Sequence, residues 1–500
     1  MWFESPSAAK RPKDSLLTND ILRFLQWIIP VMAFFLCGCS GPTRPPENAS
    51  GPDLSYTVTF YTLDSLHVHA ELRHFSGSDS VRILFPPFAA DNPVIVLTKD
   101  NIQGLAVNGT AVAKKLGGIP WDNDSVQQLS LPASLKDLTI DYEVTFPYAP
   151  SPSPNYNTML PGRTGNMGYY RGQYIFCLPR YASDDVGLWR HPVEAYVSVD
   201  GGGLGTVTGA GDARTALRSP YEILFLQFAV NGLDITCAPP LQSGLSIISL
   251  SSNAVPAPFS AVTCSTFSAV DRLCLGCFPP HESQKSVFIV DSGSGLEGTY
   301  SFFLRYTAGA DPIQWIPGIV AHECVHEWVG IRTGETGDPW WKEGTASYFG
   351  ILLAYKLGML TDRQQLRKLM TTDLSANVVT QTVSLSQPYV RQNLYATDTA
   401  TNCIGLVYEK GKQANMILDK LLRQASGSGQ TLLSKTGVLC SRYDHKAFTR
   451  GQFVAVLQEG NSADIAGFFS RFVDSPGVLD TNLLISTFNW LDSAGAFSPQ

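Results

Sequence analysis

Between residues 56 and 146 apolar and polar positions alternate in short runs: YTVTFYTL, SLHVHAEL, SVRILF, VIVLT and LTIDYEVTF. The runs are rich in β-branched and aromatic residues and are parted by Gly, Asn, Asp and Pro, so each predicts a strand with one buried face. YIFCL and VEAYVSV continue the pattern, which predicts an antiparallel β domain over residues 55–236. His67 and His69 share one strand face with His74 nearby, and no carboxylate or Cys is spaced with them, so they read as solvated strand histidines. After Ala238-Pro239-Pro240 the period lengthens to three or four: WIPGIVAHECVHEWVGI, GTASYFGILLAYKLGM, DRQQLRKLM, YEKGKQANMILDKLLRQ, FTRGQFVAVLQEG and DIAGFFSRFV. These are helices that bury one face. Thr361-Asp362 and Ser462-Ala463-Asp464 look like helix starts. The shifts divide the chain into a mixed α/β unit over residues 237–360 and a helical unit over residues 361–500.

One apolar run precedes all of this, FLQWIIPVMAFFLC at residues 24–37. It is too short for a hydrocarbon core of about 30 Å, and it holds Gln26 and Pro30. With Arg23 just ahead and Lys10, Arg11 and Lys13 further upstream, it fits the core of a signal peptide over residues 1–38. Leu36-Cys37-Gly38-Cys39 resembles the lipobox of bacterial lipoproteins. That resemblance implies cleavage before Cys39, acylation of Cys39 and a lipid anchor on the periplasmic or cell-surface side of a membrane. The alternative is an ordinary signal peptide whose small residues include cysteine. Residues 39–54 are polar and rich in Pro and Gly, a tether composition.

Composition narrows the class. Hydrophobic residues make up 44 % and charged residues 16 % of 500 positions, which excludes a disordered chain. The formal charge of −7 gives no sign of a nucleic-acid surface, which wants a basic domain. Cys274-Leu-Gly-Cys277 has no second CxxC, so it reads as a disulfide or two buried thiols rather than a zinc ribbon, and spacing leaves the pairing of the other cysteines open.

The chemistry concentrates at His322-Glu323-Cys324-Val325-His326. Four residues apart on a helix, both imidazoles lie on one face and can bind one Zn²⁺, with Glu323 placed to take a proton from water activated there. The flanks, Ile319-Val320-Ala321 and Trp328-Val329-Gly330, are apolar, which counts against two idle histidines on a surface helix. A catalytic zinc keeps three protein ligands. Val329 and Arg332 stand where a three-histidine site would need Gly and His. Glu343, in WWKEGTASYFG, heads the next helical pattern and is the favoured third ligand; Glu335, in the flexible TGETGD turn, is its competitor.

HECVHEWVG followed by WWKEGTASYFG resembles the zinc site of the gluzincin aminopeptidases, the aminopeptidase N and glycyl aminopeptidase families. The likeness covers about residues 290–480 and implies a thermolysin-like α/β catalytic domain with a helical part after it, one Zn²⁺ per chain and peptide substrates. Sixteen residues separate His326 from Glu343, a slightly shorter connection than aminopeptidase N relatives carry. Gly295-Leu296-Glu297-Gly298 corresponds to the Gly-rich motif whose Glu holds the substrate's free amine, with Gly298 in place of Asn or His. Tyr408, in YEKG, corresponds to the tyrosine that stabilises the oxyanion. The expected activity is hydrolysis at the N-terminus of a peptide. An endopeptidase or other amide hydrolase with the same metal, or a binding protein on a protease scaffold, are the rivals.

Overall fold

The computed structural model describes residues 53–498, apart from residues 74–80, 86–100, 112–116, 131–136, 147–161, 182–192, 210–214, 291–295, 307–311, 334–338, 395–400 and breaks of at most four residues. The signal-like run, the tether and Cys39 lie outside the described residues, as do His74, Gly295 and Glu335.

The N-terminal part is three sheets. The largest orders Thr215–Leu217, Ala195–Asp200, Leu54–Thr62, Ser65–Leu72, Leu138–Thr145, Ile102–Val107 and Thr110–Ala111. Leu54, Tyr56, Val58 and Phe60 alternate into the core with Leu66, Val68, Ala70 and Leu72 opposite them, each removed from water at a gain of about 1.5–3 kcal/mol for the larger side chains. The sheet is mixed, and here the expectation of an antiparallel domain needs correcting. Leu54–Thr62 pairs antiparallel with Ser65–Leu72 through a tight hairpin but parallel with Ala195–Asp200. That strand returns after more than a hundred residues, long enough to enter in either direction.

YIFCL is not a strand. A helical turn at Gly172–Tyr174 precedes it and pairing resumes only at Leu178–Tyr181. Side-chain hydroxyls satisfy the backbone between them: Tyr142 Oη donates to Ile175 O (2.7 Å) and accepts from Cys177 N (2.8 Å), and Tyr56 Oη donates to Cys177 O. Periodicity registers burial and cannot tell which partner takes the hydrogen bonds. On the solvated face, register places Asp141 opposite His69, whose Nδ1 lies 2.7 Å from Asp141 Oδ1; a cross-strand carboxylate, invisible to linear spacing, accompanies the strand histidines.

The central sheet runs Leu233–Asp234, Leu245–Ser249, Lys285–Val290, Ser301–Arg305, Leu296–Gly298, with the middle three strands parallel. Ala257–Leu275 is the crossover helix between the first two parallel strands, tied by a Cys237–Cys264 disulfide; Cys274 and Cys277 are free thiols. Helices Pro312–His326 and Pro339–Lys356 pack beside it, and the remaining helices follow from Arg363–Met370 to Thr481–Ser493. Helices start at both expected places, and there Asp362 and Asp464 are the caps, accepting backbone N–H bonds. Met167 and Tyr169 of the N-terminal part pack against Phe288 and Phe303 of the central sheet, Tyr169 and Phe303 edge to face at 5.1 Å, so the parts share a core. No described helix is long and apolar enough to cross a membrane.

Candidate metal centre

The ligand helix Pro312–His326 ends in a kink: Val329 leaves helical geometry and Gly330 has φ +105°. The kink frees the Val329 carbonyl, and His326 Nδ1 sits 3.2 Å from it. A proton on Nδ1 satisfies that carbonyl and leaves a lone pair on Nε2. His322 Nδ1 lies 3.4 Å from Ser347 Oγ, a contact that holds its ring in place.

Two glycines set the depth of the neighbouring helix. A Cβ at Gly350 would meet His322 N at 2.9 Å, and one at Gly344 would meet the Gly411 carbonyl carbon at 2.5 Å. Helix Pro339–Lys356 can therefore lie backbone to backbone against the ligand helix on one side and Gly411–Ala425 on the other. This brings Glu343 to the histidines. Its Oε2 is 3.2 Å from His326 Nε2 and 3.5 Å from His322 Nε2, and the two ring nitrogens are 2.9 Å apart. Burial pushes the Glu343 carboxyl up, but the His326 ring and the Lys342 ammonium, 3.6 Å from Oε1, hold it well below the usual carboxylate range. The carboxylate is therefore ionised where it faces the two rings.

Three ligand atoms, His322 Nε2, His326 Nε2 and Glu343 Oε2, thus face a common spot, all within 4.8 Å of one another. Two imidazoles with one carboxylate are a donor set that suits Zn²⁺. Among the described residues this is the sole such cluster. Cys324, between the ligands in sequence, joins the core instead; burial pushes its thiol up to about 12, so it stays protonated.

Glu323 is buried at 6 % exposure on the same helix. Tyr408 arrives from a wide π-type turn, Leu406–Lys410, that opens helix Gly411–Ala425; its ring stacks on His322 at 5.6 Å and 11°. Such turns recur at functional sites because they re-aim one side chain. Glu297 lies in edge strand Leu296–Gly298, paired with Phe302; its side chain is outside the described residues. Linear reading missed Ser347, although its place four residues after Glu343 on one helix face was a usable signal. The Val329 carbonyl had none, because a kink leaves no periodic mark.

Residues 302–472 match the peptidase family M1 domain. The chain carries an M1 peptidase domain. No curated protein matches it in sequence. Solved structures share its fold: an aminopeptidase N family protein from Idiomarina loihiensis (17 % identity, 87 % of this chain and 78 % of that one, TM-score 0.58), an M1 zinc metallopeptidase from Deinococcus radiodurans bound to Tyr-Ser-Ala (14 %, 86 % and 94 %, 0.56) and leukotriene A4 hydrolase from Saccharomyces cerevisiae (14 %, 88 % and 72 %, 0.56). The M1 domain makes the protein a zinc peptidase with one Zn²⁺ as cofactor, and the mixed-sheet N-terminal part and helical C-terminal part follow the multidomain architecture of these structures.

Proposed function

We propose that the protein is an aminopeptidase, hydrolysing the N-terminal peptide bond of its substrates. The carrying observation is the convergence of His322, His326 and Glu343 on one spot, with Glu323 on the ligand helix and Tyr408 stacked on His322. His322, His326 and Glu343 hold the metal. Bound Zn²⁺ supplies Lewis-acid activation of water and of the scissile carbonyl. Glu323 accepts the proton of the attacking water and passes it to the departing amine, a role suited to a buried carboxylate next to a ligand. Tyr408 donates its hydroxyl proton in a hydrogen bond to the carbonyl oxygen as charge develops there, and the stacking on His322 holds its ring in place.

Glu297 supports the exopeptidase reading. A peptide's α-amine is mostly charged at neutral pH and needs a fixed anion inside a cleft. Its strand is held to the ligand helix, since Tyr300 N donates to Glu327 Oε2 at 3.1 Å. Peptides with a free N-terminus should be cleaved and their N-acetylated forms spared, and Glu297→Gln should abolish most of that preference. Equal cleavage of acetylated peptide would leave an endopeptidase or another amide hydrolase.

We further propose, from the lipobox-like residues, that acylated Cys39 anchors the mature protein to a membrane. Cys39→Ser should shift it to the soluble fraction and lose label from a fatty-acid probe. A wild type that takes no label would refute the anchor.

A further inference from the structure

The strand carrying Glu297 is half of a tight hairpin: Gly298 pairs with Ser301 across a turn at Thr299 and Tyr300. Three hydrogen bonds from two elements hold the turn. Thr299 N donates to Phe225 O and Thr299 Oγ1 to Glu222 O, both at 2.7 Å, and Tyr300 N donates to Glu327 Oε2. Glu327 directly follows His326, so the hairpin tip is tied to the ligand helix.

A fourth contact comes from Gln227, fully buried at the start of strand Gln227–Val230 in the N-terminal part. Its Oε1 accepts from Ser301 Oγ at 3.1 Å. Its carboxamide also fills the space over Gly298: a Cβ there would lie 2.2 Å from Gln227 Cδ, 2.5 Å from Oε1 and 2.6 Å from Cγ. Gly298 does not adopt positive φ. Its backbone would accept any residue, so what demands glycine is the occupied volume. The break in the Gly-rich motif at position 298 and the polar residue at 227 are therefore two halves of one arrangement.

We propose that Gln227 is a positioning residue for the substrate-binding strand. Reaching in from another sheet, it supplies the packing and the hydrogen bond that a side chain at 298 would otherwise provide, and it fixes the backbone at Glu297 relative to the metal ligands. The inference rests on the aminopeptidase reading and deepens it. A glutamine that only stabilised the fold would alter melting temperature; one that sets the strand's position alters substrate affinity.

The test is a cycle of four chains: wild type, Gln227→Ala, Gly298→Asn and the double variant, with zinc content and melting temperature measured alongside kinetics. Gln227→Ala empties the volume and should raise KM for free-amine peptides about tenfold while kcat and zinc content stay near wild type. Gly298→Asn alone should be worse, because its Cβ collides with Gln227. In the double variant the new carboxamide occupies the vacated space from the other side, and KM should return closer to wild type than in either single variant, a non-additivity expected only of residues in contact. Gln227→Met keeps the volume but not the acceptor; it should raise KM less than alanine does, and it replaces alanine if that chain fails to fold. A KM unchanged in Gln227→Ala, or in Gln227→Met where it stands in, overturns the proposal. So does a double variant no better than the worse single one. The wild type's preference for free over acetylated peptide tests the aminopeptidase reading by itself, whereas the KM pattern across the cycle tests Gln227.

Discussion

Glu323 and Glu343 are both buried, and their surroundings differ. Glu343 faces two ring nitrogens at 3.2 and 3.5 Å and is held ionised by the charge beside it. Glu323 belongs to the ligand helix itself, next to His322, and is outside the triad of ligand atoms. Glu323→Gln keeps shape and polarity but cannot take a proton, so the variant should retain one zinc per chain and lose about 10²–10⁴-fold in turnover. Glu343→Ala should instead lose metal, and its activity should recover in part when zinc is added in excess. Metal analysis together with single-turnover kinetics on both variants separates the roles; zinc lost from Glu323→Gln and kept, with activity, in Glu343→Ala would exchange them. At this scale the clustering of His322, His326 and Glu343 was legible because helical spacing and apolar flanks are written in the chain. Gln227 was not, since its importance lies in a volume shared with Gly298 across two sheets.

Elements place those residues through close backbone approach. Helix Pro339–Lys356 can bring Glu343 to the histidines only because Gly350 rides against His322 N. Gly350→Val puts a branched side chain onto backbone that cannot step aside, at a cost of about 1–3 kcal/mol. It should also weaken zinc binding by moving Glu343 outward. Gly318→Ala is the control: on the ligand helix itself, with nothing within 4 Å of its Cβ, it should leave zinc affinity unchanged and raise stability by about 0.5–1 kcal/mol. Calorimetry with a zinc titration reads both, and equal zinc affinity in the two variants would refute the role given to the crossing. Most elements could be read from periodicity: the central helices, the capped starts at Asp362 and Asp464, the strands around Val58, Val68 and Ile140. Periodicity failed where hydrogen bonds leave the regular pattern. Cys177 is served by tyrosine hydroxyls, Tyr408 by a widened turn, His326 by a carbonyl freed at a kink.

In the whole molecule, the centre is braced by stretches far apart in sequence. Arg332, six residues beyond His326 and 2 % exposed, donates from Nε and Nη2 to the two Asp444 carboxylate oxygens at 2.9 and 2.7 Å, and from Nη1 to Pro280 O at 2.7 Å. Beside Asp444, His445 Nδ1 pairs with Glu222, whose helix holds the Glu297 hairpin through Thr299. A single chain of contacts thus joins the N-terminal part, the end of the ligand helix and the C-terminal helices. A paired carboxylate matters most for the charge it leaves behind when removed. Asp444→Ala would take the paired carboxylate from a buried guanidinium and should cost about 3 kcal/mol in stability. Asp444→Asn keeps one acceptor oxygen and should lose less. Arg332 lies two residues beyond Gly330 of the kink, so if the pair steadies that segment zinc affinity should fall in the order wild type, Asn, Ala, although residue 444 is outside the ligand cluster. Denaturant titrations of the zinc-loaded and zinc-free protein separate the two effects. If the zinc-dependent gain in stability is identical in all three chains, the brace holds the parts together without shaping the centre.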